Sequence, residues 1–129
     1  MDASEQYQKG LEYYNEQNYD KALEYFQQAA EQGDIDSQYN LGVMYKNAYG
    51  VPQNYAKAFE WFEKAAIQGD SEAQYDVGLM YQLGEGMPIN YVKAIEWYHK
   101  ASEQGHIYAC YNLGTIYLTI AFHRPRFTF

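Results

Sequence analysis

One short motif recurs along the chain and decides its fold: QYDVG at residues 74–78. Related copies, QYNLG at residues 38–42 and CYNLG at residues 110–114, are each shifted by 36 residues, and a weaker copy, QYQKG at residues 6–10, lies 32 residues before the copy at 38–42. A second motif follows the same period, as NYDKA, NYAKA and NYVKA beginning at Asn18, Asn54 and Asn90. A fixed period of this length is typical of a repeat architecture in which neighbouring units stack to bury a shared core.

Each unit carries the pattern of two amphipathic helices. After Asn54, apolar residues stand at positions 58, 61, 62, 65 and 66, which is the spacing of one helical face. Asn54 and Asn90 are suited to cap the second helices that they precede, and glycines follow the second helices where a left-handed residue commonly ends them, at Gly33, Gly69 and Gly105. In the loop of the second unit, Ala48 stands where the third unit has Gly84, which predicts either a strained turn or a different one.

A glycine also recurs inside every first helix, at Gly10, Gly42, Gly78 and Gly114. Because glycine costs about 1 kcal/mol relative to alanine inside a helix, its recurrence requires a packing reason. We expect close approach of the second helix, whose own recurring small residues are Ala22, Ala58 and Ala94. Small residues would then face small residues and let the paired helices cross tightly.

These patterns predict an all-α fold, a right-handed α–α superhelix (solenoid) of three helix–turn–helix repeats plus one further helix. In order, the expected units are residues 1–34, 35–70, 71–106 and 107–118. The last of them is the first helix of an incomplete fourth repeat. Residues 119–129 are expected to form a basic, aromatic tail outside the repeat, because Ile120 and Phe122 stand where loop glycines are expected.

The charge of the chain excludes some partners. Its 129 residues include 17 acidic and 9 basic side chains, a formal net charge of −8, and every acid lies within residues 1–103. A protein with this negative charge repels the phosphate backbone of nucleic acids and anionic bilayers. We therefore expect neither nucleic acid nor a membrane as a partner. The single Cys110 cannot form an internal disulfide and the acidic start is unlike a secretory signal. We therefore expect a cytoplasmic location, or a periplasmic or secreted one if a signal peptide was removed.

The order of motifs from Ala73 to Gly105 resembles the Sel-one-like repeat (SLR) family, relatives of the tetratricopeptide repeats. This stretch combines the glycine-containing first helix, a Gly-x-Gly loop at residues 84–86, and a second helix with Lys93-Ala94 followed by aromatic residues. Residues 37–69 match nearly as well, and the first unit has the shorter loop of a tetratricopeptide repeat. The resemblance implies a scaffold that binds other proteins.

The resemblance also implies where a partner would bind, because first helices line the concave face in tetratricopeptide-like folds. The implied groove residues are Tyr7, Tyr39, Asn40, Val43, Lys46, Asn47, Tyr75, Leu79, Gln82, Tyr111 and Asn112. Tyrosine rings offer rigid contact area, and asparagine amides can bond an extended peptide backbone. The alternative is that these tyrosine rings only pack between neighbouring first helices.

We therefore expect an adaptor that holds a neutral or basic peptide, or a helix, of another protein, and no enzyme. No cofactor or metal is expected, because the three histidines lack the spacing of metal ligands, and we expect His99 and His106 on the solvated surface. Cys110 is expected to be a small packed residue, with a reactive thiol as the alternative. Two other functions stay open: the hydrolase-like activity claimed for the cysteine-rich branch of the family, whose cysteine pairs this chain lacks, and a structural segment of a longer scaffold.

The end of the chain leaves three possibilities. The tail folds back as a makeshift cap on the last helix, or it covers that helix together with a second copy, or it is the extraneous or truncated end of a longer array. In the second case the chain is a homodimer through its C-terminal end, and the residues expected to mediate self-association are Phe122, Phe127 and Phe129.

Overall fold

The computed structural model describes residues 1–123, and within them it contains seven α-helices. Helices consecutive in the chain pack against each other, as three hairpins followed by a single helix. The expected all-α superhelix is confirmed. The helices are α1 Ala3–Asn15, α2 Tyr19–Glu31, α3 Ile35–Asn47, α4 Tyr55–Ile67, α5 Ser71–Leu83, α6 Tyr91–Glu103 and α7 Ile107–His123.

The ends of the helices follow the signals in the sequence. The side chains that cap α2, α4 and α6 accept hydrogen bonds from the backbone N–H three residues further on, and they belong to Asn18, Asn54 and Asn90. The glycines after these helices have positive φ angles of 95°, 104° and 86° at Gly33, Gly69 and Gly105. The expected caps and left-handed ends are therefore both confirmed.

The loop after α3 contains a strained turn, which is the first of the two alternatives left open by the sequence. Ala48 ends α3 with φ 60° and ψ 42°, in the left-handed region that side chains with a Cβ rarely adopt. Gly84 ends α5 in nearly the same conformation, with φ 71° and ψ 38°. The two loops thus share one turn, and the second repeat makes it with a less suitable residue.

The helical glycines face aromatic rings, so the expected contact of small residue with small residue is wrong. A methyl group at Gly10 would lie 2.6 Å from the Phe26 ring, and the equivalent contacts are 2.5 Å between Gly42 and Phe62 and 2.7 Å between Gly78 and Tyr98. The three second-helix rings are fully buried, as are Ala22, Ala58 and Ala94. Each glycine removes a side chain so that one large ring can lie flat against its helix.

Helix α7 continues to His123, past residue 118, where we expected the last helix to end, and into the expected tail. Ile120 stands at the position where left-handed residues, Ala48 and Gly84, end the first helices of the two preceding repeats. Nothing in the isoleucine side chain favours a left-handed conformation. Within residues 1–123, no loop follows α7 to cover Tyr91. This residue borders an open cavity of about 560 Å³, lined also by Thr119, Ile120 and His123.

Candidate protein-interaction surface

The tyrosines of the predicted groove form part of the packing within each hairpin. Each lies three residues before a helical glycine and contacts the same second-helix ring, with centroids 6.0 Å apart for Tyr7 and Phe26. The equivalent distances are 5.4 Å from Tyr39 to Phe62 and 5.8 Å from Tyr75 to Tyr98. We term this arrangement a ring seat: a first-helix tyrosine and glycine that together hold one second-helix ring. The three tyrosines are half-buried.

Polar side chains of the next first helix extend these seats. The Asn112 amide donates to the Tyr98 hydroxyl at 3.2 Å and lies 3.5 Å from the Tyr75 hydroxyl, and the Tyr98 hydroxyl donates to Gln82 Oε1 at 2.6 Å. Asp76 stands one repeat before Asn112 and interacts with Tyr39, whose hydroxyl lowers the pKa of the Asp76 carboxyl as a hydrogen-bond donor would. Of these two predicted groove residues, Asn112 therefore links α7 to the third repeat, whereas Gln82 joins the two helices within that repeat.

Asp76 is the electrostatically unusual residue of this face. Burial raises the pKa of its carboxyl from 3.8 to about 6, against the opposing effects of Lys46 and of the Tyr39 hydrogen bond, while nearby Glu72 raises it further. Burial, together with the negative charge of Asp76, also raises the pKa of Tyr39. The site is therefore a desolvated carboxylate whose charge the protein compensates only in part.

The other predicted groove residues differ in their accessibility. Val43 packs against the core between the second and third repeats, and Asn40, Lys46 and Leu79 are half-buried. Asn47 is exposed, and Tyr111 is exposed over 73% of its surface. Phe122 is exposed on α7, whereas Phe127 and Phe129 lie outside the described residues.

His106 is buried, so the expectation that it lies on the solvated surface is wrong. Its Nδ1 accepts a hydrogen bond from the Ala109 N–H at 3.1 Å, which leaves the proton on Nε2 to donate to Glu72 Oε1 at 3.1 Å. Its ring stacks on Tyr75 with centroids 4.7 Å apart. His106 occupies the position of the N-cap residues Asp34 and Asp70, and that correspondence was the signal that could have revealed its role.

Cys110 is exposed, so the expectation that it is packed is also wrong. In the earlier repeats its position holds a buried glutamine that contacts the glutamine ending the second helix of the same repeat. Gln68 donates to Gln38 at 2.8 Å and Gln104 donates to Gln74 at 3.0 Å, and Gln32 pairs with Gln6 likewise. No second helix follows α7 among the described residues, so Cys110 has no such contact.

No group of three or more histidine, cysteine or carboxylate side chains within residues 1–123 could hold a metal ion. In the same part of the chain, no helix has both the length and the hydropathy required to cross a bilayer.

Comparisons with known proteins agree with this geometry. The Sel1 repeat family model matches residues 3–34, 35–70, 71–106 and 107–119, whereas no curated protein sequence matches the chain. Among solved structures, the chain is similar to a protective antigen present in uropathogenic Escherichia coli strains that displays an SLR fold, with 39% identity and a TM-score of 0.86 over 89% of this chain. A Sel1 repeat protein from Oxalobacter formigenes shows 36% identity and a TM-score of 0.81, also over 89% of this chain.

A third similar structure is Helicobacter pylori cysteine rich protein B, with 27% identity and a TM-score of 0.66 over 70% of this chain and 68% of that one. The chain spans 26% of the Escherichia coli protein and 46% of the Oxalobacter protein. With four matched repeats, it belongs to the Sel1 repeat family, a branch of the tetratricopeptide-like superfamily whose members are generally non-catalytic scaffolds for protein–protein interaction.

Proposed function

We propose that this protein is an adaptor that holds a neutral or basic segment of a partner protein against the face formed by α3, α5 and α7. The observation that carries the proposal is the half-buried Asp76 carboxyl, whose charge is compensated only in part by Lys46 and Tyr39. A lysine or arginine side chain from a partner would complete that compensation, because an added cation favours the charged form of a desolvated carboxylate.

The charges around Asp76 support a basic partner over an acidic one. Glu72 is close enough to raise the pKa of Asp76, and both carboxylates project from α5. An anionic segment placed here would meet these two like charges in a partly desolvated setting, where repulsion is poorly screened. Lys46 and, to a smaller extent, His106 act against these charges by lowering the pKa of Asp76.

Neighbouring side chains supply the remaining chemistry of peptide recognition. Asn47 is exposed and Asn40 is half-buried, so their amides are candidates to bond a peptide backbone. A cleft of about 290 Å³ lies beside Glu72 and His106 and extends to Tyr108, and it could take one apolar side chain. The proposal assigns no catalytic step to the chain.

The test is a peptide array in which sequences of equal length vary in net charge from acidic to basic. The wild-type protein is expected to bind the neutral and basic peptides and to leave the acidic ones unbound. Asp76→Asn is expected to weaken the preference for basic peptides, and Glu24→Gln, an exposed change on α2, serves as the matched control. Equal binding across the charge series, or a preference unchanged in Asp76→Asn, would contradict the proposal.

A further inference from the structure

The last helix carries a ring seat without a ring. Tyr111 and Gly114 stand in α7 where Tyr75 and Gly78 stand in α5 and hold Tyr98. Among residues 1–123, a methyl group at Gly114 would have no atom within 4 Å, whereas a methyl group at any of the other three helical glycines would lie 2.7 Å or less from a ring. Within the described residues, the site that each complete repeat fills is therefore open on α7.

The open seat lies within a continuous apolar stripe. Its members follow one another at spacings of four and three residues, which is the pattern of a helix that pairs with another helix along one seam. All of them are exposed, with Ile107 at 78% and Leu118 at 61%. We term this stripe the α7 seam, and it consists of Ile107, Tyr111, Gly114, Leu118 and Ala121.

The α7 helix also concentrates the exposed apolar surface of the molecule. Of the twelve large hydrophobic residues that are exposed in the described part of the chain, seven belong to α7. Three of the seven, Ile107, Tyr111 and Leu118, lie on the α7 seam. Exposed apolar surface concentrated along one helix in this way is typical of a protein–protein interaction site.

We propose that the α7 seam is a self-association surface whose occupant is the α7 seam of a second copy of this chain. Charge favours this occupant: residues 1–103 contain 17 acids and 7 bases, a charge of 7 − 17 = −10, whereas residues 107–122 contain no acidic or basic side chain. Two such chains repel each other over most of their surface. Through α7 they can meet without bringing like charges close together.

The seam is also complementary to itself. Two antiparallel copies related by a two-fold axis between residues 112 and 113 place Tyr111 of each copy opposite Gly114 of the other, and Ile107 opposite Leu118. A tyrosine ring from the second copy then fills the open seat, as Tyr98 fills the seat of α5. The paired α7 helices would reproduce between chains the contact that builds every hairpin within the chain.

Sedimentation equilibrium of the full chain over a range of concentrations tests the proposal. The wild type is expected to shift from 15.1 kDa to twice that mass as its concentration rises. Leu118→Glu places a charge in the seam and is expected to weaken the dimer at least about tenfold. The matched control is Val92→Glu on α6, which is 67% exposed and lies off the seam, and it should leave the dimer unchanged.

Both substituted side chains are exposed, so helical content measured by circular dichroism should equal that of the wild type. The native Cys110 gives an independent readout of the register. The proposed axis separates the two thiols by about 8 Å along the helices, so a short bis-maleimide should link two wild-type chains and fail to link Leu118→Glu chains. A wild type that stays monomeric, or a dimer that survives Leu118→Glu unweakened, would overturn the proposal.

Discussion

Gly42→Ala should destabilise the protein although alanine is the better helix former. A methyl group at this position would lie 2.5 Å from the Phe62 ring, and the fully buried ring has no space into which it can move. Overpacking of a core costs about 1–3 kcal/mol, and so short a contact belongs at the upper end. The gain in helix propensity is about 1 kcal/mol, so we expect a net loss of about 2 kcal/mol.

Gly114→Ala is the matched control, because it makes the same change in the same motif without a ring nearby. Only the gain in propensity remains, so this variant should be more stable than the wild type by about 1 kcal/mol. Thermal unfolding, followed by circular dichroism at a concentration where the chain is monomeric, measures both effects. For a domain of this size, 2 kcal/mol corresponds to a shift of roughly 6–10 °C.

A double-mutant cycle with Phe62→Leu identifies the cause. In that background the ring is gone, so Gly42→Ala should lose most of its cost, which gives a coupling energy of about 1–2 kcal/mol. If Gly42→Ala and Gly114→Ala change the melting temperature equally, or if the cycle shows no coupling, then the ring contact does not explain the recurring glycine.

Further predictions concern charge, strain and the buried glutamines. Because the native pKa of Asp76 lies above its unfolded value, ionisation of this carboxyl destabilises the folded state as the pH rises from about 4 to about 6. Asp76→Asn should therefore be more stable than the wild type by roughly 1–3 kcal/mol at pH 7.5 and by little at pH 4. Melting curves at both pH values check this, and Glu24→Gln should not show the trend. Ala48→Gly should raise the melting temperature by relieving a left-handed turn worth about 1 kcal/mol, whereas Gly84→Ala should lower it; opposite signs would refute the shared turn. Gln74→Leu should cost about 1–2 kcal/mol in urea unfolding, because it removes one of the two hydrogen bonds made by the Ala66 carbonyl and one of the two made by the Gln104 amide. An unchanged midpoint would contradict that role.

The fold could be predicted from the sequence because the residues that repeat are ones with strict conformational requirements. Asparagine caps, left-handed glycines and helical spacing each recur every 36 residues, and the structure confirms them at Asn54 and Gly69. The strain at Ala48 was predictable for the same reason, since the next repeat has glycine there. Local backbone chemistry of this kind does not depend on what packs around it.

The packing of the recurring helical glycines was predicted wrongly. A repeated residue shows that its position is important for packing, but it does not show which residue packs against it. Alanine and the aromatic residue four positions later recur with the same period, as at Ala58 and Phe62, and both were candidates to meet Gly42. The choice depends on the rotation of one helix about its axis. That rotation is set by tertiary contacts that span both helices, so the sequence left it open.

The positions of His106 and Cys110 were misjudged for a different reason. Histidine at a cap position contacts the N-terminus of the helix that follows, and the burial of His106 depends on a stack with Tyr75 of α5. Cys110 occupies a column that is buried only where a second helix follows, as for Gln74. In both cases the residues at the equivalent positions of the earlier repeats were a poor guide to burial, because a residue at the end of an array has different neighbours from one inside it.

Nuclear Overhauser effects at the four helical glycines test the central claim most directly, namely that ring seats build the hairpins and that one seat is open for a second copy. The Hα protons of Gly10, Gly42 and Gly78 should show contacts to the rings of their own second helices at every concentration. The Gly114 Hα should show none in the monomer and gain an intermolecular contact to Tyr111 as the dimer forms. The absence of a contact between Gly42 and Phe62, or a Gly114 signal that does not respond to concentration, would contradict the account.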